Sequence, residues 1–123
     1  MRLLLPVALA SLLGACATRP DMPFLPEADW QAGARSANIQ AIETPATPLA
    51  EPAGCAAAFD RARAAGLPIV WVSYQSHHAR HHMFAAADGV AALATGTWVE
   101  LWPADCRAGQ LARVLPIPEA PRS

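Results

Sequence analysis

Lysine is absent from the chain: its nine basic side chains are all arginine, set against ten acidic ones. The resulting formal net charge of −1 leaves no basic field to hold nucleic acid and no polybasic patch to hold acidic lipid. Together with the many alanines, this reads as a compositional bias of GC-rich coding rather than a design for phosphate. Long apolar runs are lacking too. Leu3–Leu13 carries no charge, yet it is too short to span a bilayer. Nor is there an assembled catalytic pattern: Ser73, Ser76 and Asp88 are not spaced as a nucleophile with a matched base, and no metallopeptidase H-E-x-x-H occurs. The expectation is a protein that is not an enzyme.

What is present begins at the first residue. Met1 and Arg2 form a short basic region, Leu3–Leu13 an apolar core, and Gly14-Ala15 a small-residue end, the layout of an export signal. The run Leu13-Gly14-Ala15-Cys16 resembles the lipobox of bacterial lipoproteins, a likeness confined to residues 1–16. It implies cleavage before Cys16, a diacylglycerol on its thiol and an acylated amino group. Several acyl chains anchor far more firmly than one, at about 0.8 kcal/mol per buried CH₂. Ala17 stands where many inner-membrane lipoproteins carry aspartate, so the resemblance implies a lipid anchor in the outer membrane, on its periplasmic face. Ala15-Cys16-Ala17 also fits ordinary secretory cleavage, which would release a soluble protein.

An odd number of cysteines in an exported chain calls for an explanation. If Cys16 carries lipid, Cys55 and Cys106 remain as a pair that an oxidising periplasm would bridge; the alternative is two independent thiols.

The order of segments follows from punctuation and periodicity. Residues 1–15 are read as signal peptide, 16–52 as a proline-rich flexible tether, 53–118 as a small disulfide-stapled domain, and 119–123 as a disordered tail. Pro20, Pro23, Pro26, Pro45, Pro48 and Pro52 interrupt the tether. A weak helical rhythm over 30–42 predicts a short docking helix. Within the domain, Cys55, Phe59, Ala62 and Ala65 space a helix, with Gly66 and Pro68 as its stop. Ile69–Tyr74 reads as a central strand and Thr97–Trp102 as another, ended by Pro103. Asp88-Gly89 predicts a hairpin turn between Met83–Ala87 and Val90–Leu93, and Leu111–Ile117 a last strand. The fold class expected is α+β: one helix followed by about four short, mostly antiparallel strands. Trp71, Trp98 and Trp102 are assigned to its core.

All four histidines fall in His77-His78-Ala79-Arg80-His81-His82. On a helix, His77 with His81 and His78 with His82 would each clamp one ion; on a strand, the two pairs face opposite ways. The four rings would not converge without a turn. A zinc or copper site would therefore need help from Met83, Asp88, Glu100 or a second molecule. The bland alternative is a solvated polar loop.

Two further resemblances are partial. Ala62–Met83 resembles the opening of a thioredoxin-type domain, but His78 and His81 stand where that family has its C-x-x-C pair, so disulfide exchange does not carry over. Leu93–Pro116, with Gly96-Thr97-Trp98-Val99-Glu100-Leu101, is similar to a bacterial SH3-like segment, which implies a small β-rich module binding peptides or cell-wall material. The reading is therefore an envelope-anchored, non-enzymatic binding or accessory module. It needs no cofactor and engages the membrane through lipid and an envelope protein or cell-wall polymer through the domain. The alternative is a periplasmic copper or zinc binder using His77, His78, His81 and His82.

Overall fold

The computed structural model describes residues 22–118. The expected signal segment, the expected lipidation site Cys16 and residues 119–123, expected as a disordered tail, lie outside the described residues.

Strand β1 (Arg35–Ile42) alternates small or apolar side chains with polar ones. Ala37 and Ile39 point inward and are fully buried, while Asn38 and Gln40 point outward. It pairs antiparallel with β2 (Ile69–Ser76), through a bulge between Ile39 and Ala41 that leaves Gln40 unpaired and bends the strand. β2 turns directly into β3 (Ala79–Ala87), paired in register from Ser76 opposite Ala79 to Ile69 opposite Ala86. β4 (Trp98–Trp102) returns beside β1, so the first four strands stand in the order 4-1-2-3 of a Greek key. β5 (Ala112–Leu115) then fills the gap, antiparallel to β4 and parallel to the end of β3. The result is a closed barrel in the order β1-β2-β3-β5-β4, an architecture of the five-stranded Greek-key class that includes the OB-fold.

The interior is filled by Ala37, Ile39, Val70, Val72, Ala85, Val99, Leu101 and Val114. Alanine on three of the strands lets five strands close tightly around a narrow core. Half-buried Val90 and Leu93 pack on this cluster from the β3–β4 connection.

Among the described residues two short α-helices lie outside the barrel. α1 (Glu27–Gln31) precedes β1 and ends at Gly33, whose φ of 111° only glycine adopts freely. α2 (Ala56–Ala64) crosses between β1 and β2. Its end is a Schellman motif: Gly66 N–H donates to the Arg63 carbonyl (3.0 Å) and Leu67 N–H to the Ala62 carbonyl (3.0 Å). Leu67 then packs on the cluster that α2 forms with the barrel wall, where Ala58, Phe59 and Ala62 meet Ile69, Ala86 and Leu111. Burying Phe59 completely makes its truncation costly, about 3–5 kcal/mol. Cys55, at the helix start, is bonded to Cys106 in a 3-10 turn (Cys106–Ala108), with Cα atoms 5.1 Å apart. The expected pairing of these two cysteines is present.

The expected fold class is corrected. The chain is mostly β, a closed barrel rather than a helix followed by four strands, and a full strand precedes the helix. That strand, β1, comes from residues read as tether and as a docking helix. Alanine and serine carry so little hydrophobic signal that the period of two was faint, and Trp30 with Ile42 mimicked a helical rhythm. The expected Asp88-Gly89 hairpin is also corrected. Gly89 ends β3 with φ 71°, Asp88 N–H donates to the Val114 carbonyl (2.9 Å), and 90–93 forms no strand. The real hairpin turn is His77-His78, with φ 51° and 65°. Two successive positive values are what a two-residue type I′ turn requires, and histidine is not its usual occupant. Nor do Trp71, Trp98 and Trp102 fill the core; all three are half-buried on outer faces.

Candidate functional site

Side chains two apart on a strand share a face. On β2, Ile69 and Trp71 therefore point out of the barrel; on β3, His82, Phe84 and Ala86 do the same. α2 covers the Ile69 and Ala86 end of this face, and the covering stops at Phe59, whose ring meets Phe84 edge-on at 5.2 Å. Beyond it the aromatic surface continues uncovered. Trp71 sits opposite Phe84 with ring centroids 4.4 Å apart, and His82 stacks on Trp71 at 5.4 Å with its plane tilted only 10°. The three rings form one continuous apolar platform.

A second wall faces this platform. After β4, Pro103 stops the strand and the chain crosses to the 3-10 turn, which Asp105 caps by accepting a hydrogen bond from Arg107 N–H (3.0 Å). The disulfide pins that turn to the start of α2. Between the turn and the platform lies a cleft of about 630 Å³, lined by Trp71, His82 and Phe84 on one side and by Pro103, Asp105 and Arg107 on the other. Its volume falls in the range of ligand pockets, and its makeup, mostly apolar with a few polar groups, is the usual one. Gly54, with φ 85°, lies against Arg107 of the second wall, where a Cβ would be 3.5 Å from the Arg107 side chain.

The cleft exists because β3 outruns its partner. β5 pairs with β3 only at Ala85–Ala87, so among the described residues no strand lies on that side of His82–Phe84. The main-chain groups there border the cleft where the sheet would otherwise continue.

The histidines are dispersed by the hairpin. His77 and His78 form its tip, His81 stacks on Tyr74 at 5.3 Å on the inward-facing side, and His82 stacks on Trp71 on the outward one. Among the described residues no group of three or more His, Cys, Asp or Glu side chains could hold a metal ion. Of the helpers named for such a site, Met83 borders the cleft beside His82 and packs against the interior cluster, whereas Asp88 pairs with Arg113 at 3.6 Å and Glu100 is buried on β4. The one histidine that the structure ties to the cleft is His82.

Glu100 is the strongest electrostatic feature near α1. It is 2% exposed; Oε1 accepts from Trp102 Nε1 (2.7 Å), and among the described residues no N–H donor reaches Oε2. Burial pushes its carboxyl above the ordinary range, the Trp102 hydrogen bond opposes this, and the neighbouring Asp29 carboxyl adds to the rise.

Sequence reasoning missed the cleft as a unit. Trp71 was assigned to the core, and Phe84, Asp105 and Arg107 carried no signal of their own. The register of β2 on β3 was the missing information: once the turn is placed at His77-His78, Trp71, His82 and Phe84 fall on one outer face. Comparison with known proteins finds no match to the chain among family models, curated proteins or solved structures.

Proposed function

We propose that the protein is a binding module of the bacterial envelope, held by lipid on Cys16 and receiving an extended polypeptide segment of a partner in the Trp71–Arg107 cleft. The observation that carries this is the cleft itself. An aromatic platform lies beside a stretch of β3 that, among the described residues, has no strand on its side away from β2, the arrangement that accepts an added strand with alternate side chains in pockets. Trp71 and Phe84 offer buried area, while Asp105 and Arg107 offer one acceptor and one donor at the rim. Nothing in the reading calls for catalysis; the module binds, and the anchor localises it.

The test is site-specific cross-linking in intact cells. A photoreactive amino acid at His82 should trap a discrete protein partner, and Trp71→Ala should abolish the product. The same label at Arg61, on the exposed face of α2, should not give it. Identical products from both positions, or no product from His82, refute the reading. Suppression of the His82 product by soluble cell-wall fragments would move the ligand from protein to polymer.

A further inference from the structure

Among the described residues three large apolar side chains are exposed, and all belong to one short stretch near the described N-terminus: Met22 (46%), Phe24 (92%) and Trp30 (55%). They surround a single shallow depression of about 190 Å³ with Leu25, Arg35 and Gln75. The stretch is fastened to the barrel. The Pro23 carbonyl accepts a hydrogen bond from Ser36 Oγ (2.6 Å), and Arg35 donates to the Trp30 carbonyl (3.0 Å) while its guanidinium lies 4.7 Å from the Trp30 ring. Phe24 and Trp30 are therefore held outward, although burying such a side chain is worth about 1.5–3 kcal/mol.

We propose that this face docks on the bilayer that carries the Cys16 lipid, with Phe24 and Trp30 in the boundary between headgroups and acyl chains. The inference rests on the anchoring reading. Chain length supplies the argument: residues 16–21, fully extended, span only about 20 Å, so an acylated Cys16 confines Met22 to the neighbourhood of the surface. Tryptophan suits that boundary because its ring is apolar and its N–H needs a polar partner. The charges nearby are Glu27 and Asp29 against Arg35 and, on the Met22 side, Arg80, which gives no net pull toward an anionic surface. Anchor and apolar side chains thus divide the work. The lipid makes contact effectively intramolecular, and two rings then suffice to orient the barrel although they could not recruit it alone.

The experiment uses the mature full-length protein in vesicles of phosphatidylethanolamine and phosphatidylglycerol carrying brominated acyl chains. Intact mass reads the anchor separately. Bromolipid should quench part of the tryptophan emission, and Trp30→Phe should remove the quenched part while Trp71, Trp98 and Trp102 remain bright. Phe24→Ser should reduce the quenching. Acylated protein that is not quenched, or is quenched equally in Trp30→Phe, overturns the docking face and leaves the anchor standing. Acylated protein whose Trp30 is shielded from both bromolipid and aqueous iodide also overturns it, in favour of a second copy or a protein partner. Unacylated protein refutes the anchor and, with it, the docking that depends on the anchor.

Discussion

Reduction of the Cys55–Cys106 bond is the sharpest perturbation of this fold. The cysteines are 51 residues apart in sequence. On the chain-entropy model, opening a loop of that length returns roughly 14 cal/mol/K to the unfolded chain, about 4 kcal/mol at 25 °C. Domains of this size have about 5–15 kcal/mol in total, so the bridge is a large share. With a urea slope of about 1–1.5 kcal/mol/M, reduction should lower the unfolding midpoint by roughly 3 M. The structure also says where loosening begins. The bond joins α2 to the 3-10 turn, both outside the barrel, whereas the five strands close through their own hydrogen bonds. Amides of residues 56–65 and 106–109 should lose exchange protection before those of β1 and β2. Reducing the native protein is cleaner than Cys55→Ala, because Cys55 is completely buried and its truncation adds a packing loss. A midpoint shift below about 0.5 M, or strand amides opening first, would refute the reasoning.

Three other outcomes can be measured. Replacing His77-His78 by Asn-Gly should lower the cost of holding two histidines at positive φ, by about 1 kcal/mol or more, and raise Tm by roughly 4–8 °C; an unchanged or lower Tm contradicts the turn assignment. Glu43 accepts two hydrogen bonds from Arg63 (3.0 and 2.8 Å) and one from Leu49 N–H (3.1 Å), with the Arg63 bonds as the largest cause holding its carboxyl below 4.5; wild type should be more stable than Glu43→Gln above that pH and lose the advantage on acidification, and a gap that persists in acid argues against it. Glu100 has the opposite sign: its raised folded value means that wild-type stability falls as pH rises from 4.5 through that value, so Glu100→Gln should gain on wild type over the same interval in urea titrations, and parallel pH profiles would disprove it.

What could be read from the sequence was whatever large or conformationally restrictive residues announced. The α2 stop at Gly66 and Pro68, the strands read at 69–74 and 97–102, which the structure has as Ile69–Ser76 and Trp98–Trp102, and the Cys55–Cys106 pair each had such a marker. What could not be read was built from small residues or depended on register. Ala37 and Ala85 fill the barrel as firmly as the valines do, yet an alanine looks the same to a helix, a strand or a linker. The hairpin was misplaced because Asp88-Gly89 is a stronger local turn signal than His77-His78. Local preference lost to the register that buries Val70, Val72, Ala85 and Ala87 together. With the turn misplaced, the candidate cleft could not be assembled, since its platform consists of cross-strand neighbours.

The β2–β3 hairpin connects the two proposed surfaces and fixes their relation. Trp71 lines the cleft and Gln75 borders the depression beside Met22 and Phe24, both on the outward face of the same strand. Four residues of strand separate them by about 13 Å. If the Phe24 and Trp30 face rests in the headgroup boundary, the cleft stands clear of the acyl chains and meets partners from the aqueous side. Phe24→Ser should then leave the His82 cross-link to a soluble partner intact while changing how the barrel lies on the bilayer. Loss of both together would mean that the partner itself is embedded in the membrane and meets the module along its docking face.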